Sequence, residues 1–158
     1  MTYNLIYAAK EMFNEAFLSE AAFQLDEDQK HISKAMDGIL PTVFGKLTDM
    51  ASSKKGAKTM LKIVNNFENP SEISNPESFA VKKLSHTYYH NPKHTVALFG
   101  SKIDIVTSYV SGHSGLRSRS VSFLLEITLI SVIELIREHT DNIKMDIASL
   151  HFILFSQK

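Results

Sequence analysis

The chain has 158 residues, enough for one domain with a proper core or for two very small halves. Lysine plus arginine balances aspartate plus glutamate at 17 each, which removes the electrostatic case for nucleic acid or an anionic membrane as the main partner. Cysteine is absent, so disulfides and thiolate metal sites are excluded. Glycine and proline are scarce, 6 and 4, and most of them fall at breaks between long periodic runs, a pattern that favours an all-α class.

In chain order, residues 3–23 predict a first amphipathic helix. Tyr3, Ile6, Tyr7, Met12, Phe13, Phe17, Ala21 and Ala22 point inward, with Lys10, Glu11 and Glu15 outward. The N-terminal stretch lacks a basic segment followed by a continuous apolar run, so no signal peptide is read. Residues 25–28 form a turn whose acids suit the start of the next helix. Residues 28–52 carry the cleanest amphipathic pattern: Ile32, Ala35, Met36, Ile39, Leu40, Val43, Phe44, Leu47 and Ala51 on one stripe, with Lys30, Lys34, Asp37, Gly38 and Gly45 opposite. Pro41 predicts a kink about one turn before it, or two shorter helices meeting there. Residues 53–56 read as a break, and 57–67 return to helix with Met60, Leu61, Val64 and Phe67 inward.

Residues 68–77 are loop-like, with two Asn-Pro pairs, and a short helix anchored by Phe79, Val81 and Leu84 follows. Residues 86–94 are irregular around Pro92. Helix is expected over 95–110, with Val96, Leu98, Phe99, Ile103, Val106, Tyr109 and Val110 as its apolar set and Gly100 as an interruption. A turn containing Gly112 and Gly115 then leads into the most apolar stretch, about 118–138, with Ser118 or Ser120 as cap. Between Val121 and Ile136 nearly every direction on the helix is apolar, as in a buried central helix. Glu126 and Glu134 interrupt the run and argue against a membrane span. They are expected at the rim or in an interhelical ion pair rather than as a catalytic pair. A last helix is expected over 143–155.

Residues 32–64 overlay 121–153 without gaps in apolar pattern: Ile32 on Val121, Met36 on Leu125, Leu40 on Leu129, Leu47 on Ile136 and Leu61 on Leu150. The expected architecture is therefore a single all-α domain of six to eight helices over 1–158. Two pseudo-repeated hairpins, about 25–67 and 114–156, surround the buried central helix and are joined by a linker at about 68–95.

Several segments resemble DUF937, a bacterial family of unknown function that includes YidB-like proteins. They are the Leu40-Pro41 step followed by Val43, Phe44 and Leu47; the break from Ser53 to Ala57; Leu98-Phe99-Gly100; and the turn from Val110 to Leu116 into a Leu-rich helix. The resemblance covers roughly 20–157. It implies an all-helical fold, brings no catalytic residues, and points to a domain often joined to an outer-membrane-protein-A-like, peptidoglycan-binding module. No such module is expected within these residues.

Patterns that can carry chemistry are few. His86, His90 and His94 recur every fourth residue and would share a helix face fit for a metal, but Pro92 opposes such a helix and a solvated loop is the better reading. Gly112-His113-Ser114-Gly115 brings serine and histidine together, yet a nucleophile elbow needs glycine where Leu116 stands and a strand before it. Residues 109–125 can be drawn as a helix-turn-helix with Arg117 and Arg119, but the second helix is too apolar to face a DNA groove. Lys54, Lys55 and Lys58 fit a solvated break.

The expected function is a non-enzymatic protein-interaction or scaffold module. It has a protein partner or self-association, and no nucleic acid, cofactor, metal or transmembrane segment. Phe99, Leu116, Ile130 and Ile133 are the interface candidates, since the second repeat carries surplus apolar surface. The alternative is a small-ligand or lipid-binding domain with a cavity lined by Phe44, Phe99, Phe123 and Ile127. A cytoplasmic setting is expected, or a periplasmic one if the chain is part of a larger envelope protein.

Overall fold

The computed structural model describes residues 5–65 and 93–139. Among these there are seven α-helices and no strand: α1 (Leu5–Met12), α2 (Glu15–Leu25), α3 (Gln29–Ala51), α4 (Lys54–Asn65), α5 (Lys93–Phe99), α6 (Ile103–Ser114) and α7 (Ser118–His139). A 3-10 turn, Gly100–Lys102, joins α5 to α6. The all-α expectation holds.

The helix expected over 3–23 is two helices. Asn14 leaves helical geometry at φ −82° and ψ −175°, and its side chain accepts a hydrogen bond from the Phe17 amide at 3.0 Å. An asparagine that caps the following turn breaks a helix while the apolar pattern runs on. Met12, Phe13 and Phe17 remain buried across the break, but Tyr7 is exposed.

α3 begins at Asp28, whose carboxylate accepts from the Lys30 amide at 2.8 Å. All nine residues of its predicted stripe are buried. Pro41 does not divide it into two helices. Proline frees the carbonyl four residues earlier, here that of Asp37. Both residues are exposed, so water can take that carbonyl.

The expected break over 53–56 narrows to Ser52 and Ser53. Ser53 caps α4 by accepting from the Gly56 amide at 3.0 Å. Gly56 lies inside the helix, where a Cβ would stand 2.3 Å from the Met50 carbonyl oxygen. Gly100 does interrupt the later helix, at φ +58°. Gly112 and His113 belong to α6, and Gly115 alone makes the left-handed turn, at φ +87°.

α7 is the axis. From Val121 to Ile136 every residue is buried except the half-buried Ser122 and Ile130. It packs against α1, α3, α4, α5 and α6, while α3 also packs on α2, α4 and α6. Each fully buried aliphatic side chain contributes about 1.5–3 kcal/mol relative to exposure. That term outweighs the modest helix propensity of the β-branched residues along α7. The segments predicted over 68–84 and 143–155 lie outside the described residues, and with the latter the second arm of the hairpin expected over 114–156.

Candidate functional site

Four features of the surface and the buried polar layer are candidates for function. The first joins two helix ends. α2 terminates at Asp26, in the left-handed region at φ +52°; the Asp26 amide donates to Phe23 and the Glu27 amide to Ala22. This is a Schellman termination with aspartate where glycine is commoner. The Arg117 guanidinium closes it by donating to the Leu25 carbonyl and, at 3.1 Å, to that of Asp26. Glu27 answers at the start of α7: its Oε2 accepts from the Arg117 amide at 3.1 Å and from Arg117 Nε at 3.2 Å. Burial pushes the Glu27 carboxyl up. Hydrogen bonds from the Ser120 hydroxyl, the Arg117 amide and the Arg117 guanidinium outweigh burial, and with the guanidinium's charge hold the group below its ordinary value. A carboxylate at a helix N-terminus also opposes the helix dipole favourably.

The second feature is a buried acid. Glu126 is 2% exposed, and its Oε1 accepts from the Thr95 amide at 2.9 Å and the Thr95 hydroxyl at 3.2 Å. Thr95 lies in the first turn of α5, whose amides have no intrahelical acceptor, so Glu126 caps α5 from another helix. Glu134 is equally buried. Of the two placements expected for these acids, the rim is ruled out, because both are buried. The apolar faces of α7 are wide enough to carry both into the interior.

The turn before α7 is built from two serines. The Ser114 hydroxyl donates to Val110 at 2.7 Å and accepts from the Leu116 amide at 3.2 Å, and the Ser111 hydroxyl donates to the Leu116 carbonyl. Ser114 is therefore a turn-former, and His113 points outward, as expected of a helix-connecting turn. The helix-turn-helix alternative fares no better, because α7 faces the core and Arg117 is held against α2.

The third feature is an apolar stripe on the outside of α6. Ile105 is 71% exposed and Tyr109, one turn on, 73%. The His113 ring stacks on Tyr109 with centroids 6.2 Å apart and planes 4° from parallel. Phe23 on α2 is also exposed.

The fourth is a half-open groove of about 540 Å3 between the end of α1 and the middle of α3. Phe13, Met36, Leu40, Pro41 and Phe44 line it, with Lys10 and Asp37 as its charged members. The Phe13 ring is braced edge-on by Phe17, centroids 4.9 Å apart. Met36 is approached from behind by the Thr128 hydroxyl, 3.9 Å from its sulfur.

The residues singled out from sequence are only partly assembled. Phe99, Leu116 and Ile133 are buried in the core and Ile130 is half-buried, so the apolar surplus of α7 is covered by the chain itself. Of the expected cavity residues, Phe44 lines the groove, whereas Phe99, Phe123 and Ile127 belong to the core. His86 and His90 lie outside the described residues. The backbone of His94 opens α5, and no group of three metal-ligating side chains occurs among the described residues. The apolar pattern places Tyr109 inward and so misses the α6 stripe. Ile105 and Tyr109 lie one turn apart, out of phase with Ile103, Val106 and Val110, and that offset is the signal the sequence holds. No helix among the described residues is long and apolar enough to cross a membrane.

The sequence model of the family described as "Bacterial protein of unknown function (DUF937)" matches residues 9–136. The match begins earlier than the resemblance read from the motifs, taking in the second half of α1, and ends within α7. No curated protein and no solved structure matches the chain. The chain belongs to the DUF937 family.

Proposed function

We propose that this DUF937 chain is a non-enzymatic protein-interaction or scaffold module that binds a protein partner or a second copy through the outer face of α6. The observation that carries the reading is the pair Ile105 and Tyr109, each more than two-thirds exposed and one helical turn apart. Aromatic and aliphatic residues presented together on a helix face are the usual anchors of a helix-mediated contact. The absence of catalysis is part of the proposal. It is supported by the structural use of the polar groups: Glu27 and Glu126 both terminate helices, and Ser114 builds a turn. The charge balance of the chain supports protein rather than nucleic acid as the partner. Cytoplasmic placement is the simplest setting, with a periplasmic one if the chain is part of an envelope protein.

The test compares the wild-type chain with Ile105→Glu and Tyr109→Glu in sedimentation equilibrium and in affinity capture from the native cells. Both sites are exposed, so melting temperatures should stay within about 2 °C of wild type. Self-association, or one stoichiometric partner, should be present in the wild type and lost in both variants. A wild-type chain that remains monomeric and captures nothing removes the proposal.

A second reading, a small-ligand or lipid-binding domain, is favoured by the α1–α3 groove. Its walls are preformed by buried side chains, and its volume falls within the range of about 300–1,000 Å3 common to ligand pockets.

A further inference from the structure

We propose that the α1–α3 groove holds a single-chain amphiphile whose headgroup carries both a positive and a negative charge. This rests on the ligand-binding reading of the groove and adds the chemistry of the guest.

The apolar walls select the body of the ligand. Phe13, Met36, Leu40 and Phe44 are already largely buried, and Pro41 extends the surface to the outside. A polar chain in contact with them would lose its water without gaining a hydrogen bond. The bracing of Phe13 by Phe17 and of Met36 by Thr128 means the walls need little ordering when a guest arrives. Met36 also supplies an adaptable contact suited to an alkyl chain.

Scale separates this guest from a protein. A stable protein contact buries about 800 Å2 on each partner, contributed by about 20–30 residues. The groove is lined by seven residues from α1, the following turn and α3. That is the scale of a small ligand.

The rim selects the headgroup. The charged members of the lining are Lys10 and Asp37, both exposed and of opposite sign. An anionic head drawn to Lys10 is repelled by Asp37, and a cationic head drawn to Asp37 is repelled by Lys10. A head bearing both charges meets each with its complement. Exposed pairs of this kind are modest individually, so selectivity comes from the like-charge repulsion that a zwitterion avoids.

The experiment titrates the full chain with dodecylphosphocholine, dodecanoate, dodecyltrimethylammonium and dodecyl maltoside, each below its critical micelle concentration. Affinity is read by calorimetry, and position by the NMR shift of the Met36 methyl, assigned through Met36→Leu. Dodecylphosphocholine should bind about five-fold more tightly than either singly charged probe, with the Met36 methyl moving in proportion to occupancy. Asp37→Asn should erase the preference over dodecanoate, and Lys10→Gln the preference over dodecyltrimethylammonium. Both are surface substitutions, and unchanged melting temperatures establish that the variants fold. Equal affinity for all four probes, with the Met36 methyl shifting, overturns the zwitterion and leaves a groove that takes any alkyl chain. No shift of the Met36 methyl with any probe overturns the ligand reading itself, and the headgroup proposal with it.

Discussion

Glu27 Oε2 and Arg117 Nε lie 3.2 Å apart although 90 residues separate them in sequence. The contact does more than pair two charges. Arg117 closes the carbonyl end of α2, and Glu27 closes the amide end of α7. Each side chain thus satisfies groups that helices leave open at their ends, and the α2–α3 turn is tied to the start of the central helix.

Removing the carboxylate should therefore cost more than an exposed ion pair. The Glu27 side chain is only 9% exposed. Glu27→Ala should lose about 1–3 kcal/mol, the range for hydrogen bonds to a charged group and for an emptied helix end. The pH dependence has a fixed sign. The folded carboxyl lies below its ordinary value of 4.5, so the folded state binds fewer protons than the unfolded one. The contribution is complete above that ordinary value and disappears as pH falls through the lower folded one. Urea midpoints of wild type and Glu27→Gln, measured from about pH 7 to 3, should converge on acidification. A gap that stays constant down to the lowest pH would refute the assignment.

Glu126 makes a second prediction. Glu126→Leu fills its space with apolar atoms but leaves the buried Thr95 amide without this acceptor, at about 1–3 kcal/mol. Glu126→Gln keeps an acceptor oxygen and should recover much of the loss. Hydrogen exchange gives the local readout: amides in the first turn of α5 should lose protection in the leucine variant before those of α3 do. Equal protection in both variants would show that Glu126 does not hold α5.

These two carboxylates also mark how far the sequence can be read. The α3 stripe and the burial of α7 are legible because burial is periodic and each helix repeats its signal several times. The split at Asn14 depends on one capping side chain within an unbroken apolar pattern. Glu27 is legible as a turn acid but not as the cap of α7, because its partner is distant in sequence and no periodicity links them. The groove is hidden for a related reason. Phe13, Met36, Leu40 and Phe44 satisfy the core pattern of their own segments. Only the relative placement of α1 and α3 opens a space among them.

Two glycines should respond oppositely to the same change. Gly45 lies on the exposed side of α3, and a Cβ there would have nothing within 4 Å, so Gly45→Ala should stabilise by up to about 1 kcal/mol through helix propensity. Gly56 is also helical, but a Cβ there would stand 2.3 Å from the Met50 carbonyl oxygen and 2.8 Å from Ser53 Oγ. Gly56→Ala should destabilise by about 1–3 kcal/mol, as overpacking does. Thermal unfolding of the two variants decides it, and a stabilised Gly56→Ala would mean that α4 can move away from the Met50 carbonyl at little cost.

Asp26 and Gly115, both left-handed, contrast in what a Cβ costs them. Asp26 adopts φ +52° with a side chain that the α2 termination does not use for its own backbone bonds, which come from the Asp26 and Glu27 amides. Asp26→Gly removes the cost of a Cβ in that conformation, about 1 kcal/mol, and keeps the carbonyl that Arg117 holds. The added freedom of glycine in the unfolded chain opposes the gain, so a net stabilisation of about 0.5 kcal/mol is expected. At Gly115 the balance runs the other way. Its φ is +87°, and a Cβ would meet the His31 ring at 3.4 Å, the short edge of ordinary van der Waals contact, so conformational strain dominates and the contact adds little. Gly115→Ala should lose about 1–2 kcal/mol. Replacing His31 by alanine in the Gly115→Ala background separates the two causes: it should return only the contact part, leaving most of the loss in place. Full recovery would assign the requirement for glycine to His31 rather than to the backbone.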